Sequence, residues 1–269
     1  MLIQITVVIN YSLQGVWIVL QLIVATFLSI KVIKTKRYNI IPLILFFFIS
    51  SLRIISFFMS PSFLIIFLIM VQFPNILLVI FTKLTFFKHK KSPFKVFLII
   101  LIIVRFFDFI IRINFQISIP MTYYLEESNL IFYYYILFSI TISFLLSHLW
   151  LGITALRYYK IIKSSNIEPW IKLRYGLIGW GSFIYTFSIF LYYLIPYDII
   201  GLFAFPNIVY GYIILGFTVC YSLSMYFAWI MPKCLKNRLN KDFQVIEEKE
   251  YEEDELLEIV KKELSERNS

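Results

Sequence analysis

Arg105, Asp108 and Arg112 stand at i, i+3 and i+7 of an otherwise apolar run, Arg-Phe-Phe-Asp-Phe-Ile-Ile-Arg. On an α-helix this spacing brings all three to one narrow face, where the carboxylate can pair with either guanidinium. One positive charge is left over on that face. A charged side chain at the centre of a membrane span costs roughly 2.5–3.5 kcal/mol on insertion scales, so three together call for an explanation. The chemistry they offer is recognition of an anionic or strongly polar group. Arg53, in another apolar run, adds a further cation if the two runs are neighbours. The competing reading is an ion-paired core, with Arg112 reaching the headgroups and Glu126, Glu127 or Asp198 as outer partners.

Three other groups of polar residues interrupt apolar runs. Gln72-Phe73-Pro74-Asn75 places a proline between two amides; Pro74 removes a backbone donor, so a kink is predicted there. Gln72 and Asn75 then either satisfy the freed carbonyl groups or line a cavity opened by the bend. Asn10, Gln14, Trp17 and Gln21 share a narrow arc that suits hydrogen bonding between helices. His148 reads as a hydrogen-bonded core residue, since the chain has only one other histidine, His89, in a basic link. Gly176, Gly179 and Gly181 around Trp180 predict close helix packing, and no strand precedes them to make a nucleotide loop. Cys220 and Cys234 read as free thiols, with palmitoylation of Cys234 as the alternative.

Several chemistries lack their residues. An intramembrane aspartyl protease needs two carboxylates sharing a proton, and only Asp108 lies well inside an apolar run. Paired histidines at helical spacing, a Gly-x-Ser-x-Gly elbow and a Walker loop are all missing from the sequence. The last apolar run has no lysine to carry a retinal Schiff base. No enzymatic activity, metal or cofactor is therefore expected, and nothing in the pattern points to nucleic acid.

The elements that must position these residues follow from composition. Of 269 residues, 60% are hydrophobic and 15% charged, and the mean hydropathy is +0.82. Soluble domains are nearer half apolar and a quarter charged. Seven apolar runs, at about 5–30, 39–59, 62–82, 95–114, 131–156, 174–195 and 207–231, each approach the roughly 20 residues a helix needs to cross the hydrocarbon. The expected fold is all-α, a membrane bundle of seven transmembrane helices comprising residues 1–232, followed by a cytoplasmic tail at 233–269.

Basic residues orient that bundle. Lys31 to Arg37, Lys83 to Lys95, Arg157 to Arg174 and Lys233 to Lys241 form four basic links. The alternating segments 1–10, 59–62, 115–130 and 195–206 contain no Lys or Arg. By the positive-inside rule the basic links face the cytoplasm, the N-terminus lies outside, and the arginine-aspartate face occupies the outer half. Residues 1–241 carry 21 basic and 5 acidic residues, a net +16, whereas residues 242–269 carry 4 basic and 11 acidic, a net −7. The basic links suit anionic headgroups. In the tail, Leu257, Val260 and Leu264 follow helical spacing beside charged neighbours, which predicts either a solubilising extension or a short docking helix for a cytoplasmic partner.

In span count, orientation and the segment Glu168-Pro-Trp-Ile-Lys-Leu-Arg-Tyr before the sixth run, the chain resembles seven-helix receptors and the membrane input modules of microbial sensor histidine kinases. The resemblance covers residues 1 to about 241 and implies a cell-membrane sensor. No kinase sequence follows the last run, so the implied output is a separate cytoplasmic partner acting through 242–269. A small transporter or channel is the second expectation, and a non-catalytic assembly subunit the third. Membrane lipids are expected partners in all three; the oligomeric state stays open.

Overall fold

The computed structural model describes residues 2–59, 64–88, 90–115, 130–163, 167–194 and 205–241. The acidic tail, with its proposed docking helix, and the outer acids Glu126, Glu127 and Asp198 lie outside the described residues, as does His89. Among the described residues every regular element is helical. In chain order they are α1 (Leu2–Thr35), α2 (Ile41–Met59), α3 (Leu64–Phe86), α4 (Phe94–Phe115), α5 (Leu130–Phe144), α6 (Trp150–Ile162), α7 (Pro169–Ser188), α8 (Phe205–Ile230) and α9 (Lys233–Leu239). A π-helical turn, Leu145–Leu149, joins α5 to α6 as one rod, and a 3-10 turn, Ile189–Leu194, extends α7.

Local chemistry explains several of these boundaries. α1 stops at Thr35 because Lys36 takes a left-handed φ of 56° while its N–H still bonds the Val32 carbonyl at 2.8 Å. That is a one-bond left-handed cap, a position where glycine is usual. Pro169 opens α7, where its missing N–H has no intrahelical partner to lose. Pro232 ends the run of α8 and starts the short α9. Just past the end of α3, the Lys83 ammonium donates to the Phe87 and Lys90 carbonyls of the link that follows, while the open Phe86 carbonyl accepts from Tyr158 Oη.

The rods pack in chain order and the order closes on itself. α1 touches α2, α2 touches α3, α3 touches α4, α4 touches α5, α6 touches α7, α7 touches α8, and α8 returns to α1. α3 also meets α6 and the π-helical turn, which places it inside the ring. The four basic links gather at one end of the bundle. There Asn39 Nδ2 donates to Thr85 Oγ1 at 3.5 Å, Tyr158 Oη to the Phe86 carbonyl at 2.7 Å, and the Trp170 backbone N–H to Asn240 Oδ1 at 3.4 Å.

Polarity is distributed inside out. Large apolar side chains face outward, with Ile33 78%, Phe106 59% and Trp180 54% exposed, while Arg105, Asp108, Arg112, His148 and Ser147 are buried. A water-soluble domain would reverse this, because exposed contiguous apolar surface is unfavourable in water. Four helical stretches are long and apolar enough to cross a membrane: Gln14–Thr35, Ile65–Phe86, Tyr134–Ile162 and Tyr212–Ile230. They are compatible with a multi-pass membrane protein. α4 is 22 residues long but carries Lys95, Arg105, Asp108 and Arg112, so its charge sets it apart from these four. Toward the basic end the interior becomes an aromatic and aliphatic core in which Phe86 stands edge-on to both Tyr158 and Tyr175.

Close approaches between rods depend on glycine at particular points. A Cβ on Gly179 would lie 2.6 Å from Leu156 Cγ, and one on Gly152 would lie 3.2 Å from both the Gly179 carbonyl and the Phe183 nitrogen. Gly152 and Gly179 thus set the α6–α7 crossing by backbone-to-backbone contact. On the other side of α7, a Cβ on Gly181 would meet Ser224 Cβ at 2.7 Å. Small residues that let backbones approach are a principal source of helix association in lipid, where the hydrophobic effect does not separate helix from solvent.

Candidate functional site

α4 brings Arg105, Asp108 and Arg112 onto its interior face. Their side chains are 4%, 0% and 2% exposed, although the same helix presents Phe106 and Phe107 outward. Arg112 Nε donates to Asp108 Oδ2 at 2.8 Å, a charge-assisted bond within one helical turn. Arg105 Nη1 lies 3.7 Å from the same oxygen, close enough to pair electrostatically but beyond good hydrogen-bonding distance. Asp108 therefore engages both arginines, one by a direct bond and one by charge.

A third contact comes from α3. Gln72 Nε2 donates to Asp108 Oδ2 at 3.3 Å and to the Leu68 carbonyl of its own helix at 3.1 Å. Gln72 is thereby a member of the charged cluster and not simply a companion of the proline. Two donors, from Arg112 and Gln72, and the charge of Arg105 thus converge on one carboxylate oxygen. Asp108 Oδ1, Gln72 Oε1 and Arg105 Nε and Nη1 are buried and make no hydrogen bond within the described protein. Buried polar groups are ordinarily satisfied, so two donors and two acceptors left open in one cluster mark a place where a polar guest would be stabilised.

Arg53 is half-buried on α2, with its guanidinium carbon 5.8 Å from the ring centre of Trp17 on α1. α3 packs between α2 and α4, so Arg53 approaches the cluster across α3 and not from an adjacent rod. It still lies within electrostatic reach of Arg105 and of Tyr185 on α7. The stripe on α1 divides: Trp17 stacks against Arg53, while Gln21 is buried with its Oε1 making no hydrogen bond.

Pro74 sits inside an uninterrupted α3, one turn from the cluster. Its ring nitrogen cannot donate to the Met70 carbonyl. The neighbouring amides turn elsewhere: Gln72 to Asp108, and Asn75 to the facing rod, where Ser147 Oγ donates to Asn75 Oδ1 at 3.0 Å. Ser147 belongs to the π-helical turn Leu145–Leu149. Two local departures from α-helical bonding therefore meet at the middle of the bundle, and such π turns occur often at functional positions.

His148 follows in the same turn. It is buried and surrounded by Phe144 at 4.9 Å, Tyr185 at 4.9 Å, Tyr221 at 5.1 Å and Phe46 at 5.7 Å between ring centres. Its Nδ1 makes no hydrogen bond in the described protein, so packing among aromatic rings, more than hydrogen bonding, holds the imidazole. Tyr221 Oη and Ser182 Oγ are likewise buried, and they face each other.

A separate polar cluster closes the basic end. Glu168, the residue before α7, is buried; its Oε2 accepts from Trp170 Nε1 and from Asn240 Nδ2, the latter at 3.0 Å. Lys236 of α9 stands 4.7 Å over the Trp170 ring, and the Arg174 guanidinium 4.0 Å over Trp229. These contacts fix the end of α9 to the first turn of α7.

No family model matches the chain, and no curated protein or solved structure shows significant similarity to it.

Proposed function

We infer that the chain is a seven-span membrane protein, with its N-terminus outside, that recognises a small anionic or strongly polar ligand in its outer half. On this reading it acts as a receptor-like sensor through a separate cytoplasmic partner. The observation that carries it is the open cluster on α4 and α3. Three arginines, Arg53, Arg105 and Arg112, stand near a single carboxylate, Asp108, so the group keeps a positive excess. Arg105 Nε is buried without a hydrogen bond and Nη1 engages Asp108 only by charge, so the guanidinium keeps donor capacity inside the bundle. A guanidinium so placed suits carboxylate, phosphate or sulfate geometry.

The topology draws support from the basic links lying at one end of the bundle, as the positive-inside rule requires. α4, whose charges pair within the bundle, would join the four apolar spans together with α7 and the shorter apolar α2 to make seven. Coupling to the other end draws support from Pro74 and the π-helical turn midway, and from α9, whose end is held to the first turn of α7.

The test uses full-length protein in nanodiscs and follows thermal unfolding against a panel of small carboxylates, phosphates and sulfates. Saturable stabilisation by one class, lost in Arg105→Gln and retained in Lys95→Gln, is the expected result. No stabilisation by any anion would overturn the ligand reading. Capture of a cytoplasmic protein that disappears on deletion of 242–269 supports the signalling half.

A second reading, a small transporter or channel, is favoured by the buried polar atoms of His148, Tyr221 and Ser182 deeper in the bundle. Flux of the stabilising anion in proteoliposomes of the purified chain alone would select it over the receptor.

A further inference from the structure

A groove of 420 Å³ runs along the outer surface between α7 and α8. On α7, Lys172, Gly176, Trp180 and Ile184 line it at i+4 spacing, so they form one continuous row along the helix. The floor lacks a side chain at Gly176, while at Gly181 Ser224 of α8 closes against the α7 backbone and forms the opposite edge. Nearly all of the lining is apolar. The exception is the end at the basic links, where Lys172 and the Tyr159 ring of α6 stand at the mouth. There Lys172 Nζ donates to the Lys163 carbonyl at 3.1 Å, which draws the basic α6–α7 link to the same place. Lys160 and Lys163 are exposed beside it.

The dimensions and the charge select an occupant. From Lys172 to Ile184 is twelve helical steps, about 18 Å. The hydrocarbon of one leaflet is about 15 Å deep, half of a roughly 30 Å core. The groove therefore extends from a cationic mouth at the headgroup level to about the bilayer midplane. We propose that it is a binding site for one anionic phospholipid of the cytoplasmic leaflet, with an acyl chain lying over Gly176 and along Trp180 and Ile184, and the phosphate beside Lys172. Lysine and neighbouring basic residues between transmembrane helices on the cytoplasmic side are suited to anionic headgroups. A zwitterionic lipid would fill the same apolar floor but gain less at the mouth. The proposal rests on the seven-span reading and is independent of the ligand cluster on α4.

Gly176 offers a clean way to block the site. A Cβ there would meet only the Tyr159 ring, at 3.7 Å, an ordinary contact. Gly176→Leu should therefore project its side chain into the groove without displacing backbone. The experiment is native mass spectrometry of the full chain released from nanodiscs of equimolar phosphatidylglycerol and phosphatidylcholine. One retained phosphatidylglycerol per chain is expected, reduced about tenfold in Lys172→Gln, the loss of one charged hydrogen bond. Gly176→Leu should abolish retention, and Lys95→Gln, away from the groove, should leave it unchanged.

Equal retention of the two lipids, or retention insensitive to Lys172→Gln and Gly176→Leu, would overturn the proposal. So would a dimer that Gly176→Leu dissociates, since the occupant would then be a second copy of this chain. Lys172→Gln lies at the groove mouth and keeps the test open should Gly176→Leu fold poorly. In a background lacking Cys220 and Cys234, a membrane-impermeant thiol reagent should label a cysteine at 172 only from the cytoplasmic side, and should not reach one at 184. Failure of that labelling pattern removes the seven-span reading; correct labelling without anionic-lipid retention removes the lipid site alone.

Discussion

Ser147 donates its hydroxyl hydrogen to Asn75 Oδ1 at 3.0 Å, and so ties the π-helical turn of the α5–α6 rod to the residue following Pro74 in α3. That single hydrogen is shared with the Ser143 carbonyl of its own rod, which accepts it at 2.6 Å. The bond thus crosses the bundle where each rod departs from regular α-helical bonding.

A double-mutant cycle with Asn75→Ala and Ser147→Ala measures that tie. Hydrogen bonds between membrane helices average about 0.6 kcal/mol in such cycles, with a maximum near 1.7 kcal/mol. A coupling energy in that range is expected from reversible unfolding in mixed micelles. A value indistinguishable from zero would mean that the two rods are held there by packing alone.

Asp108→Asn should be among the most damaging single changes in the chain. It removes the charge that both Arg105 and Arg112 face while leaving two guanidinium groups buried. Breaking a buried ion pair by removing one partner costs about 3–5 kcal/mol. Combining it with Arg112→Gln removes one of the stranded charges and should recover part of the loss. The melting temperatures of the three variants in detergent test this order; a double variant less stable than Asp108→Asn contradicts it.

The glycines of α7 predict a contrast between near neighbours. Gly179→Ala should destabilise, because its Cβ would press on Leu156 Cγ at 2.6 Å and the Leu156 backbone nitrogen at 3.2 Å. Overpacking of this kind typically costs about 1–3 kcal/mol. Gly176→Ala meets only an ordinary contact with Tyr159 and should be neutral or stabilising, since alanine is favoured over glycine in helices by up to about 1 kcal/mol. Thermal unfolding of the two proteins side by side reads the difference.

Lys36→Gly should raise stability. The left-handed φ of 56° at Lys36 crowds its Cβ, a strain of roughly 1–2 kcal/mol that glycine does not have. The greater freedom of glycine in the unfolded chain offsets part of the gain. A small rise in melting temperature is expected, and a fall would show that the lysine side chain contributes more than its backbone costs.

Much of this architecture is legible from residue types. The arginine-aspartate face of α4 follows from i, i+3, i+7 spacing, and the side chains do turn inward together. The helices run past several of the apolar runs that announced them, as α1 does from Leu2 to Thr35, because hydropathy marks the hydrocarbon and backbone bonding continues into the basic links. Gln72 was legible as an amide beside a proline, but its contact with Asp108 depends on which rods are neighbours. No sequence period carries that information. The π-helical turn is similarly silent, since Leu-Leu-Ser-His-Leu contains no glycine or proline to announce it. Gly152 carries no signal of its own because it stands alone in its segment, and a single glycine acquires its role only from Gly179 on the opposing helix. The contact of Asn240 with Glu168 joins residues 72 positions apart and had no local signal at all.

The buried charges of α4 bear finally on how the protein is made. On the seven-span reading, a nascent α4 reaches the bilayer with three interior charges, each of which raises its insertion cost. Arg112 and Asp108 can neutralise each other within the helix as it forms, but Arg105 gains its full setting only alongside partners. α3 is synthesised immediately before α4 and already carries Gln72. The biosynthetic order thus supplies a polar neighbour just as α4 leaves the translocation machinery, which makes α3 and α4 a natural unit of co-insertion.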